Sequence, residues 1–508
     1  MQRRERGKAR TPVIATAAGC LLVALAASPA FAGQGRDCDI QLTCGQRIAV
    51  GQDYTFTADG VPGGGTYSWS VDQPGGQLAP TGGSGPAFTV TALEPSDSLE
   101  DVTVTVTYTA PGGDQCSADC PVTVTRFVIR QATFGGSAFH AVTKDCSYGT
   151  CPAYETPHWL DLDLDGDATG SGEHQSPVSY VRGSDVVLSD VEFDIKPVDL
   201  GANTVIVQGF GPDGQVFHEV AAMMDGEVVV PVSMTSSQPL PNTVRFYDTY
   251  DIEWKIALNN MEILPAGVSS TPMYVTLSNP SGKRLESWFD ISTRAADGTA
   301  TVEDAIDAIW EEFTTLHVEN AHGEVMGYYR DILCASYCTV YDAQRLVVQL
   351  NGQCGAWRDL LGQCLNTQGV TGGLYVTVEP LSSPGFLVRN YEYADGEGTS
   401  GCGSYPYRFN SPCGGPYWPS GTVEVFDLDG LEGQDESNPA SWFARHFILK
   451  LNGKYYDPSY GVGPIEGTKE EANLIWEQGG IEGYYGYCSG YYASRKDQYE
   501  VRETWFDK

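Results

Sequence analysis

Three side-chain types that can pass an acyl group between them occur in the C-terminal half of the chain, in the order Cys354, His446, Asp457. A thiolate can attack a carboxamide. An imidazole can carry the proton to the leaving amine, and a carboxylate can fix the imidazole tautomer and steady its charged form. After Asn351 and Gly352, apolar residues at Trp357, Leu360, Leu361, Cys364 and Leu365 repeat at helical spacing, and Gly369 stops the run. Cys354 therefore falls in the first helical turn, on the side of Trp357 that faces the core. Unpaired N–H groups and the positive helix end favour thiolate over thiol there.

The base must come from elsewhere in the chain. Of seven histidines, three are C-terminal: His317, His322 and His446. The first two follow an amphipathic helix and read as surface or helix-end groups. His446 lies in an apolar strand, Trp442 to Leu451, that runs into Asn452-Gly453, a strong hairpin signal. A two-residue loop pairs Leu451 with Lys454, so His446 faces Ser459, and Asp457 becomes its diagonal neighbour on the same face. A slip of one residue would send Asp457 to the opposite face. Pro458 must end the second strand. The Cys354 backbone N–H is a natural oxyanion donor, with Gln353 or Trp442 as candidates for a second. Singly, each of these residues would pass for ordinary packing, surface or turn chemistry. Together, the helix start, the hairpin register and the chain order agree.

The segment Gly352, Gln353, Cys354, Gly355, Ala356, Trp357, Arg358, Asp359, Leu360, Leu361 resembles the nucleophile helix of the transglutaminase-like superfamily. His446, followed by Gly453, Lys454, Tyr455, Tyr456, Asp457, Pro458, Ser459, Tyr460 and Gly461, is similar to that family's strand histidine and Asp-Pro turn. The resemblance covers about residues 270–508 and implies a papain-like α+β core with Cys354, His446 and Asp457 as triad. Gly355 stands where an aromatic often follows the family's cysteine. Prokaryotic members resemble hydrolases at least as often as cross-linkers, so the expected activity is hydrolysis of amide bonds in proteins or peptides through a thioester. Transfer to an amine is the competing route, and the mechanism requires no cofactor.

The elements that would position these residues divide the chain into four parts. Residues 1–32 have a basic start, an apolar run and a small-residue end, as a secretory signal does. Cys20 within the run hints at a lipoprotein signal, and Arg3-Arg4 at twin-arginine export. Residues 33–127 alternate apolar and polar between glycine-rich turns and read as an Ig-like β-sandwich with Trp69 in its core. Residues 128–265 read as a second sandwich, and 266–508 as the α+β catalytic domain, with a helix capped by Thr301 and Asp304. In the second sandwich, Asp161, Asp163, Asp165 and Asp167 alternate around Gly166 like the start of a calcium loop. The twelfth position is Gly172, however, and the acid, Glu173, comes one residue late. A structural calcium ion and a solvated acidic turn are equal readings here.

The formal net charge of −35 argues against nucleic acid or an anionic membrane as partner. After the signal, no run approaches the length of a membrane span. The expected location is secreted, periplasmic or cell-surface, with a protein or peptide substrate and possible extracellular matrix contact. Of 14 cysteines, loss of Cys20 leaves an odd set. Close pairs are Cys38 with Cys44, Cys116 with Cys120, Cys146 with Cys151, Cys334 with Cys338 and Cys402 with Cys413, although the first four could cross-pair. Ten residues along a helix rise about 15 Å, too far for Cys354 to bridge Cys364. Cys364 is therefore expected to pair with Cys488. A non-catalytic adhesion or glycan-binding protein is the rival class, using aromatic loops at Tyr484 to Tyr487 and Pro416 to Trp418.

Overall fold

The computed structural model describes residues 38–328, 340–378, 432–437 and 446–466 apart from short gaps, and the backbone of short strands within 379–443 and 481–505. The signal-like segment, Cys334, Cys338, Cys402, Cys413, Cys488 and the loop Pro416 to Trp418 lie outside the described residues. Tyr484–Tyr487 pairs through its backbone with Gly490–Ala493, and its side chains are likewise outside.

The N-terminal region is all β. A four-stranded sheet (Asp39–Thr43, Asp53–Val61, Ala87–Ala92, Leu78–Ala79) faces strands Thr66–Asp72, Val102–Thr109 and the first half of Gln115–Gly135. Alternation in the sequence becomes alternation in burial: Val102, Val104 and Val106 are fully buried and the threonines between them are not. Trp69 stacks on Phe88 at 5.5 Å between ring centroids, inside this core. Cys44 bridges Cys120, so the cross-pairing is realised and the adjacent pairs Cys38–Cys44 and Cys116–Cys120 are not. The strands bring Cys44 and Cys120 to a Cα separation of 5.7 Å.

Residues 127/128 fall inside the strand Gln115–Gly135. Its first half pairs with Val102–Thr109 and its second with Val187–Lys196. Residues 265/266 likewise fall inside Glu262–Thr276, which pairs along Arg245–Leu258. Both expected boundaries thus lie within paired strands. Trp159, Tyr180, Phe193, Phe217, Tyr250 and Trp254 fill the second β core.

Among the described residues, four helices follow: α1 (Glu286–Ala295), α2 (Val302–Thr314), α3 (Ala343–Gln349) and α4 (Cys354–Thr367). Thr301 caps α2, its hydroxyl accepting from Asp304 N at 3.1 Å. Asp342 caps α3, and Leu350 in the left-handed region (φ 57°) ends it. The helices pack beside a five-stranded antiparallel sheet in the order Val462–Glu466, Lys454–Asp457, His446–Leu451, Leu374–Pro380, Tyr499–Trp505. The expected apolar stripe of α4 faces this core: Trp357, Leu360, Leu361, Cys364 and Leu365 are all buried.

Cys364 corrects one expectation. It is a free thiol at 0% exposure, packed inward from α4 rather than bridged to Cys488. The odd cysteine count therefore does not single out Cys354, because the helix buries a second unpaired thiol. Burial pushes the Cys364 thiol far up, out of the range of a nucleophile. The core face of α4 also carries stability. Leu360→Ala should lower the unfolding free energy by about 2–5 kcal/mol in a denaturant titration; an unchanged midpoint would contradict this packing.

Candidate active site

The hairpin fixes the base. Leu451 pairs with Lys454 and Leu449 with Tyr456, the register expected from the Asn-Gly turn. Asn452 and Gly453 are both left-handed (φ 50° and 80°), as a two-residue turn matched to strand twist requires. His446 Nε2 lies 2.7 Å from Asp457 Oδ2 across this ladder, at 1% and 0% side-chain exposure. The other Asp457 oxygen accepts from Ser459 N at 3.1 Å, so the Asp-Pro turn itself orients the carboxylate. The ring of Tyr460 packs on the imidazole, with centroids 5.8 Å apart.

The nucleophile comes from the opposite side. Cys354 is the first residue of α4, a free thiol at 2% exposure. Its thiol lies close enough to the same imidazole to favour the protonated ring. Nε2 is committed to Asp457, which leaves Nδ1 as the other ring nitrogen. The chain reaches Cys354 through Asn351–Gly352, paired in parallel with Gly327–Tyr328. One turn into α4, the Arg358 guanidinium lies 3.8 Å from the Tyr375 ring and 4.8 Å from that of Phe447, and bonds Asp359 at 2.8 Å. This contact ties the nucleophile helix to the strand that carries the base. A Cβ at Gly355 would stand 3.1 Å from the Tyr341 carbonyl oxygen, so backbone occupies the space an aromatic there would need.

Charge is concentrated at the imidazole. Burial opposes its protonation, but the Asp457 carboxylate and then Cys354 outweigh it and push His446 up from 6.5 to about 10. Because the folded value exceeds the unfolded one, the pair's stabilisation is complete below about pH 6.5 and fades as pH rises through about 10. The upward shift favours the imidazolium at neutral pH, the form needed to protonate a leaving amine.

No protein-family model matches the chain, and no curated protein matches it. Among solved structures the chain is similar to Dpr2 Ig1-Ig2 in complex with DIP-Theta Ig1-Ig3, at 10% identity over 47% of this chain and 65% of that one, with a TM-score of 0.15. It is also similar to fibronectin(III)-like modules of Clostridium thermocellum CbhA (10% identity, 47% and 94% covered, TM-score 0.20). A third is the tandem Ig repeats of Dlar (14% identity, 48% and 99% covered, TM-score 0.15). The all-β character of the N-terminal region rests on its own strands.

The remaining candidates divide. Gln353 is the N-cap of α4, buried, and its side chain makes no capping bond. Trp442 is placed by its backbone, paired with Leu387, while its side chain lies outside the described residues. His317 and His322 are exposed, as expected of surface groups. In the second sandwich, carboxylate oxygens of Asp161, Asp163, Asp165 and Glu173 lie within 4.8 Å of one another. Asp167 is not in this cluster; Glu173 takes its place, brought back by the pairing of Glu173–Gln175 with Trp159–Asp161. The loop spacing put Glu173 one residue late; here a strand pair rather than that spacing closes the loop and brings it in. Burial first, then its acidic neighbours, pushes the Glu173 carboxyl up.

The imidazolium is directly testable. In an NMR titration of the ring nitrogens, His446 should remain protonated well past neutral pH. Asp457→Asn should lower its midpoint, as should Cys354→Ala to a smaller extent. A midpoint near 6.5 in the unaltered protein would contradict the buried pair.

Proposed function

We propose that the chain is an exported thiol enzyme that cleaves amide bonds of proteins or peptides through a Cys354 thioester. The observation that carries this reading is the fully buried His446–Asp457 pair, 2.7 Å apart, with the free, buried thiol of Cys354 near enough to raise the proton affinity of the same imidazole. Helix α4 packed against the His446 strand also supports a papain-like or transglutaminase-like domain. The disulfides Cys44–Cys120 and Cys146–Cys151 support a location in an oxidising compartment.

In the first step the Cys354 thiolate forms a bond to the carbonyl carbon, and the oxygen takes the displaced electron pair. The first N–H groups of α4, with the Gln353 side chain beside them, stabilise that oxyanion. His446 gives its Nδ1 proton to the amine as the C–N bond breaks, leaving a thioester. Water, deprotonated by the now neutral imidazole, attacks the thioester, and thiolate and imidazolium are regenerated. An amine could replace water at this stage, giving transfer in place of hydrolysis.

Cys354→Ala and His446→Ala should each abolish peptide hydrolysis and amine incorporation, and Asp457→Asn should reduce kcat by about 10⁴-fold if Asp457 acts as in other triads. Iodoacetamide should label Cys354 and leave Cys364 unlabelled in the folded protein. If Cys354→Ala leaves every amidase and amine-incorporation assay unchanged, the thiol-enzyme reading is wrong and non-catalytic binding takes its place.

For the second sandwich we propose a structural calcium ion held by Asp161, Asp163, Asp165 and Glu173, since the clustered carboxylates repel one another and a divalent cation would relieve that repulsion. Added calcium should raise Tm in a thermal melt, by the linkage of binding to folding. Glu173→Gln together with Asp163→Asn should remove the rise. A melt insensitive to calcium up to millimolar concentrations would leave only an acidic turn.

A further inference from the structure

Gln434 lies 80 residues after Cys354 in sequence and is 0% exposed. Its hydrogen bonds reach three separate segments. The side-chain nitrogen Nε2 donates to Phe313 O at 2.7 Å and to Pro458 O at 2.8 Å. Its backbone N–H donates to Ser459 O at 3.0 Å, and its own carbonyl accepts from Tyr328 N at 2.7 Å. Each partner bears on the thiol site. Tyr328 pairs with Gly352, two residues before Cys354. Pro458 and Ser459 are the residues that follow Asp457, and Ser459 N is what orients the carboxylate. Phe313 O is among the last carbonyls of α2, which lack a helical partner. The next residue adds a further tie, Asp435 N donating to Leu316 O at 2.8 Å.

Two rings report the same geometry. Tyr460 packs on His446 on one side and edge-on to Tyr328 on the other, at 5.8 and 5.2 Å between centroids. Gln434 is bonded to Tyr328 and to the residue before Tyr460, so it spans the gap that this aromatic row fills. None of its hydrogen bonds goes to the side chains of Cys354, His446 or Asp457.

We propose that Gln434 is a positioning residue of the thiol site: its side chain anchors residue 434 to the end of α2 and to the Asp457 turn, so that its backbone bond to Tyr328 holds the strand leading into α4 at a set distance from that turn and His446 stays between its two partners. The proposal rests on the thiol-enzyme reading above. An amide is required for this task, because both side-chain bonds are donated and both acceptors are backbone carbonyls. A carboxylate would face two carbonyl oxygens without a proton to offer, and the buried Oε1 has no hydrogen-bond partner among the described residues that could compensate a charge.

The test uses the full chain with Gln434→Met, which keeps length and burial but removes both donors, and Gln434→Glu as the isosteric companion. The Met variant should fold, by circular dichroism and a single unfolding transition. Its kcat for peptide hydrolysis should fall by about 10²-fold, the scale of an ångström-sized misplacement, with KM changed by less than about twofold. Its His446 NMR midpoint should shift down from the wild-type value. Gln434→Asn, one methylene shorter but still a donor, should recover part of kcat. A folded Met variant with wild-type kcat and an unmoved His446 titration overturns the proposal. So does a variant whose activity falls only in step with its thermal stability. If the unaltered protein itself shows an ordinary His446 titration and no turnover, the thiol-enzyme reading fails first, and this proposal with it.

Discussion

Two ionisable side chains, His446 and Asp457, sit in the core 2.7 Å apart, and neither could be buried alone without a large desolvation cost. Their mutual attraction makes the site possible only where strand register brings both to one face. The Asn452-Gly453 turn sets that register, the Ser459 N–H fixes the carboxylate, and the Tyr460 ring covers the imidazole. Cys354 then adds a third group to the same imidazole from the start of α4. The nucleophile and the base arrive on separate elements, so the packing of α4 on the sheet matters as much as the hairpin.

That packing is reinforced from several directions. Arg358 lies between the rings of Tyr375 and Phe447, and Trp310 of α2 donates to Gly463 O at 3.1 Å beyond the Asp-Pro turn. Gly461 (φ 63°) passes close to α2: a Cβ there would stand 2.9 Å from Leu316 and 3.1 Å from Phe313 O. The second sandwich joins in through Asp145, whose carboxylate accepts from the Ser287 hydroxyl at the start of α1, and through Gln344, which reaches the loop closed by Cys146–Cys151. The helices are thus held by the sheet on one side and by the 145–151 loop on the other.

The hairpin and α4 were legible in the sequence because each follows from a local rule, a two-residue turn or an apolar stripe with a known period. Helices α1 and α3 were not. Helix α1 buries eight of its residues, including Glu286, Asp290 and Ser292, so no polar face breaks its pattern, and α3 spans only seven residues. The cysteine arithmetic failed at Cys364 because counting thiols says nothing about which ones packing will bury unpaired. Glu173 was seen only as an acid one residue out of place, because a strand pair rather than loop spacing brings it to Asp161. Gln434 was invisible, since its partners are backbone groups that any residue could supply. Trp69 and the alternating valines were read correctly, since period-two burial is written directly into the residues.

The strand Gln115–Gly135 has a mechanical meaning. Modules on a surface are usually joined by extensible tethers, and tension between them is absorbed by chain uncoiling. Here the same 21-residue strand is laddered to one module at its beginning and to the next at its end. A pull applied at the first sandwich would load those ladders lengthwise, so that many hydrogen bonds resist together. The module would transmit force to the next one before it yielded any slack.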